Sequence, residues 1–311
     1  MELIAIGHKN PDTDSIISPM IISYYSDSLF GHYAVAKRAG ELNNETKFIL
    51  KYLTESTIKL PELLKKVNKE EVILVDTTEQ TQLIEGINEN NLFAVIDHHN
   101  LGGLKSSKQI YARIEPLGCT CTVLYKILKE KNLEITREVA CLMASAIISD
   151  TLFLNSPTTT DEDRTILEEL NKIAGLNLKD YSMKMFKAKS SLEGIETNEI
   201  IEKDYKFFEM GKSKVGIGVW ETVMPSTVNE KKEEILEALK DKKQKDGLDY
   251  LFFGVVDILK KNTYLYLVGD EEINLAKEIF KGNLENNVMF AEHIVSRKKQ
   301  IVPQLKETLV L

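Results

Sequence analysis

Short apolar runs alternate with longer helical patterns through the first half of the chain. The runs LIAIG (3–7), KFIL (47–50), EVILVD (71–76) and LFAVID (92–97) are rich in Val, Ile and Leu and lack a strict apolar–polar alternation, so they predict strands buried on both sides. Between and after them, apolar residues recur at helical spacing over 14–30, near 61–67, and over 119–131, 136–150 and 161–175. Such a rhythm is that of βαβ units around a parallel sheet. Pro157 followed by Thr158, Thr159 and Thr160 predicts a loop that closes into the N-cap of the last of these helices.

From about residue 190 the texture changes. YKFFEM (205–210), KVGIGVWETV (214–223), YLFFGVVDIL (250–259), TYLYLVG (263–269) and VMFAEHIV (288–295) predict strands, with helices near 230–244 and 273–282. The polar stretch AKSSLEGIETNE (188–199), which holds Gly194, predicts a linker, placed at 189–196. A chain of 311 residues also exceeds what one core usually supports. The expected fold class is therefore α/β. It comprises an N-terminal parallel-sheet domain over 1–188, with helices on both faces, and a smaller C-terminal α/β domain with a mixed sheet over 197–311.

A formal charge of −8 argues against the broad basic face that nucleic acid requires, so any anionic substrate must be attracted by a local cluster. The three cysteines, Cys119, Cys121 and Cys141, form neither a disulfide framework nor a zinc spacing, which fits a reducing cytoplasm. No basic segment followed by an apolar one opens the sequence, and no stretch has bilayer-spanning length; neither export nor a membrane partner is expected.

Candidate chemistry sits where the runs stop. LIAIG is followed by His8, Asp12 and Asp14, EVILVD ends at Asp76, LFAVID runs into Asp97, His98 and His99, and the helical stretch SAIISD ends at Asp150. A single Asp after a strand is ordinarily a turn former. Four segments with the same pattern, in a fold that gathers ligands beyond the carboxyl ends of its strands, point instead to one shared site. Two imidazoles (His8, His98) and four carboxylates (Asp12, Asp14, Asp76, Asp150) suit hard-to-borderline divalent ions such as Mn²⁺, Co²⁺ or Mg²⁺ better than the cysteine-rich surroundings of structural zinc. Four negative charges balance two divalent ions, roughly 3.5–4 Å apart in two-metal hydrolases. Adjacent side chains at a strand end diverge, so His98 is assigned to metal, His99 to substrate, and Asp97 to orienting a histidine.

Taken together, GHKNPDTDS, VIDHHN and SAIISDTLFLNSPTTTDED resemble the DHH phosphoesterase superfamily, and SRKKQIVPQL (296–305) resembles the C-terminal signature of family II, manganese-dependent inorganic pyrophosphatases. RAGELNNETKFIL (38–50) and DYKFFEMGKSKVGIG (204–218) extend the resemblance over most of the chain. It implies a DHH metal-binding catalytic domain and a DHHA2-like substrate-binding domain with the active site between them. The same six residues are implied as metal ligands, with Asp76 the bridge. His99, Lys206, Arg297 and Lys298 are implied as substrate-binding and, with Asp76, catalytic residues. The implied reaction is hydrolysis of inorganic pyrophosphate to two phosphates by a metal-bridged hydroxide, with additional Mg²⁺ arriving with the substrate and a homodimer joined through the N-terminal domain. One departure stands out: Thr77 and Thr78 occupy places that the family usually gives to His and then Asn or Ser.

The basic triplet Arg297–Lys299 supports a phosphate site, since arginine offers a bidentate fork and lysine a point charge. Strand alternation would split the three across two faces unless the strand ends or bends there. A DHH-type exopolyphosphatase or a phosphodiesterase of the nanoRNase kind would use the same metals on other substrates. The latter should carry a glycine-rich nucleotide motif where SRKKQ stands. A nonenzymatic regulator is disfavoured by the intact ligand set. MGKS (210–213) is no P-loop, because the required first glycine falls on Lys206.

Overall fold

The computed structural model describes residues 2–53 and 58–310. The chain divides into two compact units, Met1–Lys189 and Ser190–Leu311.

The first unit is built on β1 (Leu3–Ile6), β2 (Ala34–Arg38), β3 (Glu62–Leu63), β4 (Glu71–Val75), β5 (Leu92–Asp97) and β6 (Tyr111–Ile114), with α1 (Thr13–Phe30), α2 (Asn44–Tyr52), α3 (Thr120–Glu130), α4 (Arg137–Asp150), α5 (Asp161–Ala174) and α6 (Leu178–Lys189). All strands are parallel, in the order β3-β2-β1-β4-β5-β6. β1 and the inner part of β4 are wholly buried because α1 and α3 pack on one face of the sheet. On the other face, Ile4, Ile6, Val72, Leu74 and Val95 meet Val67, Leu83 and Ile84 from connecting segments.

The sheet order reverses between β1 and β4. The turn out of β1 is tight: a Cβ on Gly7 would stand 2.0 Å from Ser15 Oγ, whose oxygen accepts a hydrogen bond from the His8 N–H. Asp12 then caps α1 by accepting from Ser15 N–H at 2.9 Å. Thr160 caps α5 in a reciprocal capping box with Asp163, as the Pro157–Thr160 loop predicted.

Two expected elements change identity. KFIL, read as a strand, lies inside α2, where Asn43 supplies an N-cap and the flanking residues favour helix. The helix expected near 61–67 is instead β3, an exposed edge strand of two residues, followed by irregular chain. Pro61 and the nearby polar residues leave that segment too little apolar stripe to bury as a helix. β2 and β6 escaped notice because both are short and partly exposed.

The second unit opens with α7 (Thr197–Glu202) and contains β7 (Tyr205–Met210), β8 (Ser213–Thr222), α8 (Ser226–Asn229), α9 (Lys232–Lys245), β9 (Tyr250–Asp257), β10 (Asn262–Leu267), α10 (Asp270–Ile279), β11 (Gly282–Glu285), β12 (Val288–Ala291) and α11 (Val302–Val310). Its sheet runs β11-β12-β10-β9-β8-β7 and is mixed: β8 and β9 are parallel, the other neighbours antiparallel. Successive residues of β9 feed opposite cores. Leu251, Phe253 and Val255 join Trp220, Ile235 and Leu239, whereas Phe252 joins Ile217, Leu275 and Leu305. Beyond β12 the chain does not continue as a strand, and Arg297–Ile301 form a wide helical turn capped by Ser296.

Candidate metal centre

Three neighbouring strands deliver the centre. β1, β4 and β5 lie side by side, so His8, Asp76 and His98, which follow them, emerge together at the reversal of the sheet, while α1 supplies Asp12 and Asp14 and the end of α4 supplies Asp150. His8 Nε2 stands 3.4 Å from Asp76 Oδ2 and 3.6 Å from Asp12 Oδ2. On the other side of the same carboxylate, His98 Nε2 is 3.4 Å from Asp76 Oδ1 and 3.9 Å from Asp150 Oδ2.

The six residues assort into two groups, His8–Asp12–Asp76 and Asp14–Asp76–His98–Asp150, whose donor atoms lie within 4.8 Å of one another. Asp76 belongs to both. Donors bound at about 2.1 Å to a common ion stand about 3 Å or more apart, the spacing seen here.

The donor set fits divalent cations on independent grounds. Among the described residues, Asp76 Oδ2 and His98 Nε2 are buried without a hydrogen-bond partner, although both belong to groups that burial penalises unless something pairs with them. Each metal-side imidazole turns its Nδ1 to a backbone carbonyl, His8 to Lys9 at 2.7 Å and His98 to Leu117 at 2.9 Å, which leaves both Nε2 atoms aimed at Asp76. The Asp14 carboxylate is fixed by Thr120 N–H at 2.6 Å, Ser18 Oγ–H at 2.8 Å and Cys121 N–H at 3.3 Å. Thr120 Oγ–H also donates to Asp76 Oδ1 at 3.0 Å. The orienting role of the α3 N-terminus was invisible in the sequence, where Thr120 is one threonine among many.

Electrostatics point the same way. Burial, reinforced by Asp14 and Asp12, pushes the Asp76 carboxyl up to about 6, and burial with the same neighbours holds Asp150 well above the ordinary range. Burial alone would depress the imidazoles, but Asp12 and Asp76 outweigh it at His8, raising it to about 11, and Asp76 and Asp14 raise His98 to about 9. Crowded carboxylates hold protons that cations would replace. Cys119 and Cys121 approach Asp14 from the α3 side, yet burial pushes the Cys121 thiol up to about 11 and the Cys119 thiol well above its ordinary value, so both are neutral packing groups.

His99 is outside those two groups but forms a third with Asp76 and His98, its Nδ1 3.8 Å from Asp76 Oδ1. Its Nδ1 lies 2.9 Å from Asp97 Oδ1, which also accepts the His98 and His99 backbone N–H groups, and that hydrogen bond raises the imidazole pKa. Its ring is half-exposed and, with Asp12, His98, Asn100, Gly118 and Asp150, lines a cleft of about 500 Å³.

Thr77 and Thr78 brace the loops around the centre. Thr77 Oγ–H donates to Gln82 Oε1 at 2.9 Å, while Thr78 Oγ donates to Asn100 O at 3.1 Å and accepts from Gly102 N–H at 2.8 Å.

The second unit gathers the remaining residues. Lys206, Arg297 and Lys298 line a cleft of about 450 Å³ with Asp204, Phe208 and Glu221. The turn at Arg297–Ile301 replaces strand alternation and so allows Arg297 and Lys298 to share it. Arg297 is only 10% exposed, with Nη1 on the carbonyls of Asp204 (2.5 Å) and Ile217 (3.3 Å) and Nη2 on Asp204 Oδ1 (2.7 Å). Asp204 had drawn no attention in the sequence, although it stands two residues from Lys206.

A parallel sheet that gathers two imidazoles and three further carboxylates around one shared aspartate, in a chain with a second, mixed-sheet unit, is the arrangement that the resemblance to the metal-dependent DHH phosphoesterases implies. Residues 2–147 match the model of the DHH family, N-terminal domain, and residues 183–308 match that of the DHHA2 domain. The manganese-dependent inorganic pyrophosphatase of Methanocaldococcus jannaschii is 37% identical over 97% of each chain, and that of Bacillus subtilis is 37% identical over 99% of each. The crystal structure of a Methanococcus jannaschii putative family II inorganic pyrophosphatase superposes with a TM-score of 0.63 at 36% identity over 99% of both chains. The chain described here belongs to the manganese-dependent inorganic pyrophosphatase family.

Proposed function

We propose that this chain hydrolyses inorganic pyrophosphate to two phosphates, with Mn²⁺ held at two sites by His8, Asp12 and Asp76 and by Asp14, Asp76, His98 and Asp150. The observation that carries the reading is the placement of Asp76, one carboxylate with donor atoms in both ligand groups. Names of relatives over nearly the full chain length support pyrophosphate and manganese. Co²⁺ or Mg²⁺ would substitute less selectively, and further Mg²⁺ would enter with the substrate. Residues 1–188 form the catalytic domain, 189–196 the linker and 197–311 the substrate-binding domain.

When bound, the two ions supply Lewis acidity and a water that loses its proton near neutral pH. The chain does the rest. Asp76 fixes the spacing of the two groups, and the Nδ1 bonds of His8 and His98 hold their rings in one tautomer. Asp97 orients His99 through Nδ1 and raises its pKa, and His99 Nε2 would hydrogen-bond the bridging or leaving oxygen of the substrate. Lys206, Arg297 and Lys298 bind phosphate oxygens and stabilise charge on the leaving group.

Asp76→Asn is the appropriate test, because Asp76 has φ +61°, a left-handed conformation that asparagine tolerates and alanine does not. The variant is expected to fold, to lose Mn²⁺ binding by calorimetry, and to release phosphate from pyrophosphate at least about 10²-fold more slowly. Retention of wild-type turnover would refute the assignment. Running tripolyphosphate and a dinucleotide beside pyrophosphate separates the proposal from the exopolyphosphatase and phosphodiesterase readings.

A further inference from the structure

Glu45 is a fully buried carboxylate in the first turn of α2 that belongs to neither ligand group. Its Oε2 accepts from Ser149 Oγ–H at 2.7 Å and from Thr13 Oγ–H at 3.2 Å, and pairs with Lys189 Nζ at 3.3 Å. Lys189 Nζ also donates to Ser149 Oγ at 3.4 Å. Oε1 is buried and has no hydrogen-bond partner among the described residues. Burying a carboxylate with half its acceptor capacity unused is costly, and an apolar residue would fill the same space more cheaply.

The partners explain why a charge stands there. Thr13 separates Asp12 from Asp14 at the start of α1, and Ser149 immediately precedes Asp150 at the end of α4. One carboxylate oxygen therefore ties together the two helix termini that carry three of the four aspartates of the centre. Those termini come from segments far apart in sequence, and mutual repulsion among Asp12, Asp14 and Asp150 pushes them apart. Thr13 Oγ is further joined to Thr46 Oγ on α2 at 3.1 Å, so two neighbouring residues of α2 hold this one hydroxyl of α1. Lys189 supplies the charge that makes the buried carboxylate tolerable, and it does so from the last residue of its unit.

We infer that Glu45 is a positioning residue of the metal centre: by clamping Thr13 to Ser149 it sets the separation of Asp12 and Asp14 from Asp150. The inference rests on the metal assignment under Proposed function. It accounts for a buried acid that neither ligation nor substrate binding uses.

The test is Mn²⁺ titration calorimetry on wild type, Glu45→Gln and Glu45→Ala, with melting of each protein in chelator as the folding control. Glutamine keeps the shape and one acceptor but loses the charge, so its Mn²⁺ affinity should fall only several-fold; alanine removes the clamp, and the fall should reach about 10- to 100-fold. A fall in kcat should track the affinity loss, while KM for pyrophosphate at saturating Mn²⁺ stays near wild type. Wild-type Mn²⁺ affinity in a folded Glu45→Ala would overturn the inference. If alanine does not fold, an unaltered Mn²⁺ affinity in Glu45→Gln overturns it equally, since the charge is then irrelevant to the ligands. Failure of the wild-type protein itself to bind Mn²⁺ would count against the metal assignment instead, and binding without pyrophosphate hydrolysis would count against the substrate.

Discussion

Asp76 concentrates the chemistry of the centre in a single residue, and its backbone shows the cost. A non-glycine residue at φ +61° is uncommon, asparagine and aspartate being the side chains that accept it most readily, and such conformations persist where the surroundings over-determine them. Here the Asp76 N–H bonds to Ile96 O and the carboxylate is gripped by Thr120, so β4 ends in a turn that aims one carboxylate at two imidazoles. Asp204 is the corresponding support in the second unit. Asp204→Ala should leave Mn²⁺ binding and kcat nearly unchanged and raise KM for pyrophosphate about fivefold, an effect of about 1 kcal/mol because the pair is half open to solvent. Steady-state kinetics with parallel metal titration checks this, and an unchanged KM would mean that Arg297 needs no support from the Asp204 side chain.

Among elements, the loops after β4 and β5 act as one body. Gly102 lies so close to Glu79 that an added Cβ would stand 2.4 Å from its Cα and 2.7 Å from its N, backbone atoms that cannot step aside independently. Thr78 bolts the same contact through Asn100 and Gly102, immediately beyond His98 and His99. Gly102→Ala should therefore cost about 1–3 kcal/mol through overpacking, seen as a melting shift of roughly 3–6 °C, with a loss of turnover from displaced His99. A variant with wild-type melting and turnover would show that the two loops move freely past each other. On the α3 side of the cleft that His99 lines, the Thr160–Asp163 box does more than cap α5, because Asp163 also accepts from Gly118 N–H and Thr122 Oγ–H and thereby anchors the approach to α3.

At the scale of the whole molecule, the centre is a stability problem that cations solve. Four aspartates converge on two imidazoles, two of the carboxyls are driven up by burial and by one another, and polar atoms are left unpaired. Binding to the folded chain alone stabilises it by mass action, about 2.7 kcal/mol at a free ion concentration 100 times Kd. Chelator-treated protein should melt below the Mn²⁺-loaded form, with the midpoint rising as Mn²⁺ is restored and responding far less to Ca²⁺. Identical melting with and without Mn²⁺ would contradict the site as drawn. In a chain of net charge −8, the Lys206–Arg297–Lys298 cleft proposed to bind substrate would offer a trianionic or tetraanionic anion a local cationic patch.

Much of this was written in the chain order. Apolar runs without alternation already specified a parallel sheet covered on both sides, and acids or imidazoles at four run ends specified a common destination, because strand termini in such sheets converge. The same local signals misassigned KFIL and the segment near 61–67, since a run as short as three apolar residues serves a strand and a helix equally well; for KFIL, packing of α2 against α1 and α6 decides. What the linear order could not hold was proximity. The Glu45 carboxylate, the Thr120 N–H and the Asp204 side chain are unremarkable in sequence; they acquire roles because the fold brings Ser149, Asp14 and Arg297 to within hydrogen-bond reach across tens of residues. Local pattern fixes which residues face the crevice, whereas the geometry that brings six of them within ligand distance around Asp76 comes from contacts that exist only once the sheet has closed on its helices.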